Sequence, residues 1–112
     1  MINNTPSLDR MFHALADGHR RYIIDRLASG PLTISDLAGP LDISLPAVMQ
    51  HIAVLESAGL LHSEKLGRVR TCTLASGALS DVEGWINARR KMVQGRLRRL
   101  DTFLSKDQEN KE

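Results

Sequence analysis

The chain is poor in cysteine and in aromatic residues. Cys72 is its one cysteine, and Phe, Trp and Tyr together make up 4% of 112 residues. A single thiol excludes an intrachain disulfide, and its place in a predicted strand favours a buried or half-buried group over a redox sensor. The sequence has no apolar run long enough for a membrane span or a secretory signal, so we expect a cytoplasmic protein.

Recognisable catalytic motifs are also missing. No histidine is paired with a nucleophile in a known pattern, and no glycine-rich phosphate loop follows a predicted strand. The carboxylates fall in predicted helix caps or on exposed faces. We therefore expect no enzymatic activity and no cofactor.

The charge and the apolar content are moderate. The formal net charge is +2, and 42% of the residues are hydrophobic. This content is enough for the small core of one domain. Because the net charge is low, binding to nucleic acid must depend on where the basic residues lie.

Residues 43–59 predict a recognition helix of about four turns. Ser44 can cap its start, Pro46 suits its first turn, and Gly59 can end it in a left-handed conformation. The predicted buried stripe is narrow and comprises Val48, Ile52 and Leu55. Such a stripe leaves the start of the helix free to enter a DNA major groove.

Gln50 is the residue of this helix best suited to read a base. Its amide can donate to and accept from an adenine edge, while Ala47 or Leu45 can contact a thymine methyl group. The alternative interpretation is that Gln50 and His51 belong to an ordinary solvated face.

After this helix, the period of the sequence changes from helical to alternating. Residues 60–65 and 69–74 predict two strands, with Leu66, Gly67 and Arg68 as the turn. Lys65, Arg68 and Arg70 then cluster near the hairpin tip, where they can meet phosphate or a minor groove. Charges on edge strands also prevent aggregation, and the two interpretations are compatible.

Three helical segments precede the recognition helix. Residues 33–36 form a capping box that opens a short positioning helix, and Asp17 can cap the helix before it. In that earlier helix, Arg20 and Arg21 can reach a phosphate or pair with Asp17 and Asp25, and we favour the ion pairs. The first helix is marked by apolar residues at helical spacing: Leu8, Met11, Phe12 and Leu15.

The last predicted helix runs from about Asp81 to Leu104 and opens with a capping box at residues 80–83. Its apolar stripe has no second domain to cover it, so we expect a homodimer that pairs the first and last helices and sets two recognition helices about one DNA turn apart. The expected interface residues are Leu8, Met11, Phe12, Leu15, Trp85, Ile86, Met92, Leu97 and Leu100. The basic residues of this helix are assigned to solubility first and to acidic partners second.

Five segments together resemble the ArsR/SmtB family of bacterial winged-helix repressors. They are residues 15–21 (LADGHRR), 34–38 (ISDLA), 46–52 (PAVMQHI), 55–61 (LESAGLL) and 67–70 (GRVR). The resemblance covers residues 8–104 and implies a homodimer that binds operator DNA and represses transcription. It matches Ser44, Ala47, Gln50 and His51 to the family's DNA-reading helix, and Arg68 and Arg70 to its wing.

The expected fold is therefore mainly α, of the α+β type: a winged helix-turn-helix with a two-stranded wing and long terminal helices. Residues 1–7 are expected to be a flexible N-terminus, residues 8–104 the DNA-binding and dimerisation domain, and residues 105–112 a disordered tail.

The chain departs from the family at its metal sites. Many members release DNA when a metal binds, but Thr33 and Ser35 stand where a thiolate site would need cysteines. On the last helix, Asp81 and Glu83 are followed by Gln94 and Leu97, which leaves too few ligands for zinc. The four histidines lie on different predicted elements, so we expect ordinary surface or packing roles for them.

Two further departures concern Met49, where the family usually has a small hydroxyl residue, and Cys72, where it often has a tyrosine. Three hypotheses remain open. The first is a repressor of a palindromic operator without the usual metal sites. The second is a sensor that uses Cys72 or another ligand site, and the third is a winged domain that binds only proteins.

Overall fold

The computed structural model describes residues 6–109, with side chains for residues 7–106. Its elements in chain order are α1 (Pro6–Leu15), α2 (Gly18–Leu27), β1 (Leu32–Thr33), α3 (Ile34–Ala38), α4 (Leu45–Ser57), β2 (Leu61–Leu66), β3 (Val69–Leu74) and α5 (Ser80–Glu109). The chain divides into two compact units, one ending at Ser80 and the other formed by α5 from Asp81 onward. The mainly helical fold with a small antiparallel sheet confirms the expected class.

The core of the first unit lies where α1, α2 and α3 meet α4. Val48, Ile52 and Leu55 of α4 are buried, as the periodicity predicted. They share the core with side chains from the other helices and from the start of β2: Met11, Ala14, Ile23, Ile24, Leu27, Leu37, Leu60 and Leu61. The buried stripe of α4 therefore anchors the recognition helix and decides which of its faces is exposed.

Local capping signals define most of the helix starts. The side chain of Asp17 accepts hydrogen bonds from the backbone N–H groups of His19 and Arg20. Thr33 and Asp36 form the predicted capping box of α3. Ser44 accepts from the N–H of Ala47 at 3.3 Å and caps α4. Each cap satisfies backbone donors that the first turn of a helix leaves without a partner.

Neighbouring residues also determine where α4 ends. Gly59 has a φ of 78°, a left-handed conformation that glycine adopts without steric cost. The N–H of Leu60 then donates back to the carbonyl of Leu55 at 3.0 Å. This geometry stops the helix and turns the chain directly into β2.

The sheet has one strand more than predicted. Its order is β1-β3-β2, all antiparallel, and β1 adds Leu32 opposite Cys72 and Thr33 opposite Thr71. The two-stranded wing is thus the projecting part of a three-stranded sheet. Two residues are too few to show the alternation by which a strand is recognised in a sequence. The strand β1 forms because β3, which is distant in the chain, provides an edge with which it can pair.

The wing turn is shorter than predicted. Leu66 pairs with Val69, so Gly67 and Arg68 alone form the connection, and the prediction that included Leu66 was wrong. Gly67 has a φ of 64°, whereas no non-glycine residue in the described range has a positive φ. A glycine at the first central position is the pattern of a type II′ hairpin turn.

Three helix boundaries also differ from the expected ones. α1 begins at Pro6, so two residues assigned to the flexible N-terminus are helical, and the other five lie outside the described residues. Ser80 already lies within α5, so it cannot be the N-cap of a capping box there. α5 continues to Glu109, five residues past Leu104, because its polar end contains good helix formers. Residues 110–112 lie outside the description.

Among the described helices, none combines the length and the apolar character needed to cross a membrane.

Leu37 is expected to be essential for stability. Its side chain is fully buried, with 0% exposure, so Leu37→Ala should lower the free energy of unfolding by about 2–5 kcal/mol through lost burial and a residual cavity. Urea unfolding followed by circular dichroism measures this change. The matched control is Leu66→Ala at the 77% exposed wing tip, where the change should stay within about 0.5 kcal/mol. Equal losses in the two variants would contradict the assignment of Leu37 to the core.

Candidate nucleic-acid interface

The first half of α4 is open to solvent. Ser44 and Gln50 are exposed, Ala47 is half-buried, and the apolar side chains of Leu45 and Met49 are 52% and 47% exposed. These residues flank the buried stripe, so their side chains are not needed to hold the helix in the core and remain available for contact with DNA. The surface offers an amide, a hydroxyl and methyl groups, which are the chemical groups that read base edges in a major groove.

The wing carries its charges beyond the edge of the core. On one face of the hairpin, the buried Leu61 and Cys72 are followed toward the tip by Lys65 and Arg70, which are direct cross-strand partners. Two cations opposite each other on neighbouring strands repel, and a bound phosphate would relieve that repulsion. Arg68 lies in the turn and is exposed. The wing thus has a cationic end that favours anionic partners.

A groove joins the recognition helix to the wing. It has a volume of about 400 Å³ and is bordered by the start of α3, by α4 and by the hairpin. Leu45 and Met49 lie on one side, and Lys65, Arg68 and Arg70 on the other. The structure therefore brings Leu45, which the sequence assigned to base contact, together with the three basic residues that it assigned to phosphate contact. Met49 belongs to this groove, in the place where the resemblance implied a small hydroxyl residue.

Arg70 is held in place by a chain of hydrogen bonds. It donates to the hydroxyl of Ser63 at 3.0 Å, and Ser63 donates to the carboxylate of Glu56 at 2.8 Å. The backbone N–H of Ser63 also donates to Glu56 at 3.3 Å. Because Glu56 lies on α4 and Ser63 and Arg70 on the hairpin, these bonds link the recognition helix to the wing. Arg70 is half-buried on the hairpin stem, while Arg68 occupies the turn.

His51 has a structural neighbour that the sequence did not indicate. Its Nδ1 lies 3.3 Å from a guanidinium nitrogen of Arg20, and its side chain is only 19% exposed. A guanidinium always carries its protons, so the two groups form a hydrogen bond in the tautomer whose Nδ1 carries the lone pair. His51 thus joins α4 to α2, and its availability to DNA is smaller than that of Gln50.

The arginines at the start of α2 bind carbonyl groups. Arg20 donates to Ala14 at 2.7 Å and to His13 at 3.1 Å, and Arg21 donates to Leu15 at 2.7 Å. The favoured prediction of ion pairs with Asp17 and Asp25 was therefore wrong. The last carbonyls of α1 lack partners within their own helix and attract cations, which explains the choice. No local sequence pattern reveals this contact, because it depends on how α1 and α2 cross.

Asp17 is an electrostatic centre beside His51. The backbone N–H of Arg20 is the main cause that lowers the pKa of this carboxyl from 3.8, and desolvation opposes it. The N–H of His19 and the charges of His51 and Arg20 add to the lowering. Asp17 therefore stays ionised well into the acidic range.

Two of the four histidines are neighbours. His19 and His51 approach to 5.5 Å between ring centroids, and both lie near Asp17. The four histidines lie on four different elements, as expected, but the sequence did not indicate that two of them meet. They belong to different elements and meet only because α2 packs against α4.

A second groove lies on the other side of the recognition helix. Arg10 and His13 of α1 line it together with Gln50. Neither had been singled out as a candidate for DNA contact, because on a helical wheel they are ordinary polar residues of an amphipathic helix. Their place beside Gln50 follows from the packing of α1 on α4 and adds a cationic side chain near the base-reading amide.

The residues predicted for a dimer interface lie on two helices, α1 and α5, and differ in exposure. Met11 is 8% exposed and belongs to the core of its own chain, because it shares the inner face of α1 with Ala14. Leu8 and Leu15 are half-buried, and Phe12 is 41% exposed. The α5 residues are all exposed by 40% or more: Trp85, Ile86, Met92, Leu97 and Leu100. Val93, Phe103 and Leu104 extend this apolar surface.

Comparison with known proteins points to gene regulation. A family described as a helix-turn-helix domain matches residues 15–64. The HTH-type transcriptional regulator Rv2034 of Mycobacterium tuberculosis is 48% identical over 68 residues, covering 61% of this chain and 64% of that protein's length. The transcriptional repressor SdpR of Bacillus subtilis is 29% identical over 79 residues, covering 70% of this chain and 88% of SdpR.

A solved structure extends the similarity to most of the chain. The crystal structure of an ArsR family transcriptional regulator is 41% identical, and the match covers 79% of this chain and 97% of that one with a TM-score of 0.75. This similarity in sequence and fold agrees with the structure of the chain, in which an exposed recognition helix lies beside a basic wing. The chain belongs to the ArsR family of winged helix-turn-helix transcriptional regulators.

Proposed function

We propose that this regulator binds a near-palindromic operator as a homodimer and represses transcription in the cytoplasm. The observation that carries the proposal is the groove shared by the exposed start of α4 and the basic wing. Leu45, which can contact a thymine methyl group, borders this groove together with Lys65, Arg68 and Arg70, which can hold phosphates. The name of the related SdpR, a transcriptional repressor, supports repression as the outcome of binding.

Within this proposal the residues divide by chemistry. Gln50 supplies sequence preference through its amide, with Ala47 contacting a thymine methyl group and Ser44 contacting the DNA at the helix start. Lys65, Arg68 and Arg70 supply affinity by neutralising phosphates. His51 contributes less than Gln50, because it is half-buried against Arg20.

The dimer is proposed from the apolar surface of α5. Leu97, Leu100, Phe103 and Leu104 are between 51% and 67% exposed. They recur at steps of three and four residues, the spacing that aligns one side of a helix with a partner helix. An apolar surface this long favours association with a second copy. Two copies related by a two-fold axis would present two recognition helices to successive turns of DNA.

The thiol-sensor hypothesis receives no support from the surroundings of Cys72. The side chain has 0% exposure, and desolvation is the main cause that raises the pKa of the thiol above its ordinary value of 9.0. The nearby Glu56 raises the pKa further, while Arg70 lowers it. Since the thiolate is the reactive form, a buried thiol with a raised pKa reacts slowly with oxidants.

Gln50 and Arg68 should affect DNA binding in different ways. Gln50→Ala should weaken binding by about 1–3 kcal/mol and relax the preference at one base position, whereas Arg68→Ala should weaken binding to all sequences alike and reduce its salt dependence. Fluorescence anisotropy with duplexes selected from a random library, repeated over a salt series, measures both effects. Arg98→Ala on α5 is the charge-matched control and should leave affinity unchanged. Unaltered binding in both interface variants would overturn the assignment.

Acidic residues in the α5 surface should separate the protomers. The double variant Leu97→Glu, Leu100→Glu should raise the dimer dissociation constant at least about tenfold, because the interface would have to desolvate charge. Sedimentation velocity over a concentration series measures it. Arg98→Glu adds an acid to the same helix outside the apolar surface and should remain dimeric. A monomeric wild-type protein at micromolar concentration would contradict the proposed assembly.

Cys72 should resist thiol reagents in the folded protein. Reaction with a chromogenic disulfide should be slower than in denaturant by on the order of a hundredfold, since the thiol must first be exposed by local opening. Folding raises the pKa of the thiol. The contribution of the thiol to the free energy of unfolding is therefore complete below its pKa in the unfolded state, and it is lost as the pH rises through its pKa in the folded state. Rapid labelling at neutral pH, with oxidant-driven DNA release that Cys72→Ser abolishes, would restore the sensor hypothesis.

A further inference from the structure

Three metal-binding side chains meet where the start of α2 approaches α4. Oδ1 of Asp17 lies 3.8 Å from Nδ1 of His19 and 4.0 Å from Nδ1 of His51. One donor atom from each residue lies within 4.8 Å of the other two. Two imidazoles and one carboxylate are a donor set that binds divalent transition metals and leaves coordination positions open to water.

We propose that Asp17, His19 and His51 form a binding site for a divalent transition-metal ion of the zinc type, completed by water. Nitrogen and oxygen donors without a thiolate suit borderline ions such as Zn²⁺, Co²⁺ and Ni²⁺. The site is separate from the positions on the positioning helix and the last helix where the sequence lacks ligands.

The geometry is close to what such an ion needs. Bonds of 2.0–2.2 Å in a tetrahedral site place donor atoms about 3.4 Å apart, so these three must close by roughly 1.4 Å or less. Relative side-chain exposures are 46% for His19, 35% for Asp17 and 19% for His51. The exposed His19 has room to rotate inward, and an ion can enter from solvent.

Two features of the structure orient the donors. The backbone N–H groups of His19 and Arg20 donate to Oδ1 of Asp17 and orient its carboxylate. In the tautomer that accepts a hydrogen bond from Arg20, the lone pair of His51 is on Nδ1, the atom that lies 4.0 Å from Oδ1 of Asp17. That tautomer can also coordinate an ion through the same nitrogen.

Arg20 also opposes the ion. Its guanidinium is a permanent cation at 3.3 Å from Nδ1 of His51, so metal coordination at that atom must displace one hydrogen bond. Arg20 is also bound to the carbonyls of Ala14 and His13, so the guanidinium must shift against these bonds before an ion can take its place at Nδ1. With three protein ligands and one competing cation, the site is suited to reversible binding rather than to a permanent structural ion.

The position of His51 connects the site to DNA binding, a consequence that rests on the proposed function. His51 directly follows Gln50 on the recognition helix. Arg20 already joins His51 to α2, and a metal bond would prevent His51 from leaving that position to contact DNA. Metal binding should therefore lower operator affinity, and by reciprocity DNA should lower metal affinity by the same factor.

The metal site is tested without DNA. Purified protein is titrated with Zn²⁺ against a chromogenic chelator, and with Co²⁺ to record its absorption spectrum. We expect one ion per chain with a nitrogen and oxygen ligand spectrum, and an affinity at least about tenfold weaker in His19→Ala and in His51→Ala. His62→Ala on the wing is the matched control and should bind like the wild type.

Three outcomes would overturn the site. They are no saturable binding by the wild type, equal affinity in His19→Ala, and an equal loss in His62→Ala. Because His19 is exposed, its variant should keep the wild-type fold, and circular dichroism verifies this. Asp17→Asn provides a second variant that keeps the helix cap but removes the anionic ligand.

The link to DNA is tested separately, with a duplex selected from a random library. Zn²⁺ should weaken binding about tenfold in the wild type and leave His19→Ala unaffected. Bound zinc without any change in DNA affinity would overturn the coupling while leaving the site in place. If no duplex binds the metal-free protein, the proposed DNA-binding function fails, whatever the zinc titration shows.

Discussion

The burial of one narrow stripe of α4 is the constraint on which the rest of the structure depends. Val48 and Leu55 have no exposed surface and Ile52 has 3%, while the neighbouring positions Leu45, Met49 and Gln50 remain open. Each buried aliphatic side chain contributes about 1.5–3 kcal/mol relative to an exposed one. A wider stripe would stabilise the helix further, but it would remove the side chains that can meet a base edge.

Polar contacts also hold α4 in its position. Arg20 joins α2 to the end of α1 and to His51 of α4, and Glu56 joins α4 to the wing through Ser63 and Arg70. Both connections use charged groups at the boundary of the core, where a hydrogen bond to a charged partner is stronger than a neutral one. Polar contacts thus link the recognition helix to α2 on one side and to the wing on the other.

Most features with a local cause could be predicted from the sequence, although the turn at Leu66 and the capping box at Ser80 were predicted wrongly. Several features with a tertiary cause could not be predicted. The caps at Asp17, Thr33 and Ser44 involve residues two or three positions apart, and all three were confirmed. The strand β1, the carbonyl partners of Arg20 and the meeting of His19 with His51 depend on elements brought together by packing. The basic and apolar residues of the groove were expected on separate elements, and their common border became evident only from the fold.

The two-residue turn of the wing leaves the hairpin no slack. Since Leu66 is paired directly with Val69, the reach of the wing is determined by strand length, at about 3.3 Å for each added residue. A single inserted residue in either strand would send every later side chain to the opposite face, exchanging Lys65 or Arg70 for its neighbour. The length of the hairpin can therefore change only by matched pairs, with one residue added to or removed from each strand. The distance that the wing spans along a nucleic acid accordingly changes in fixed steps.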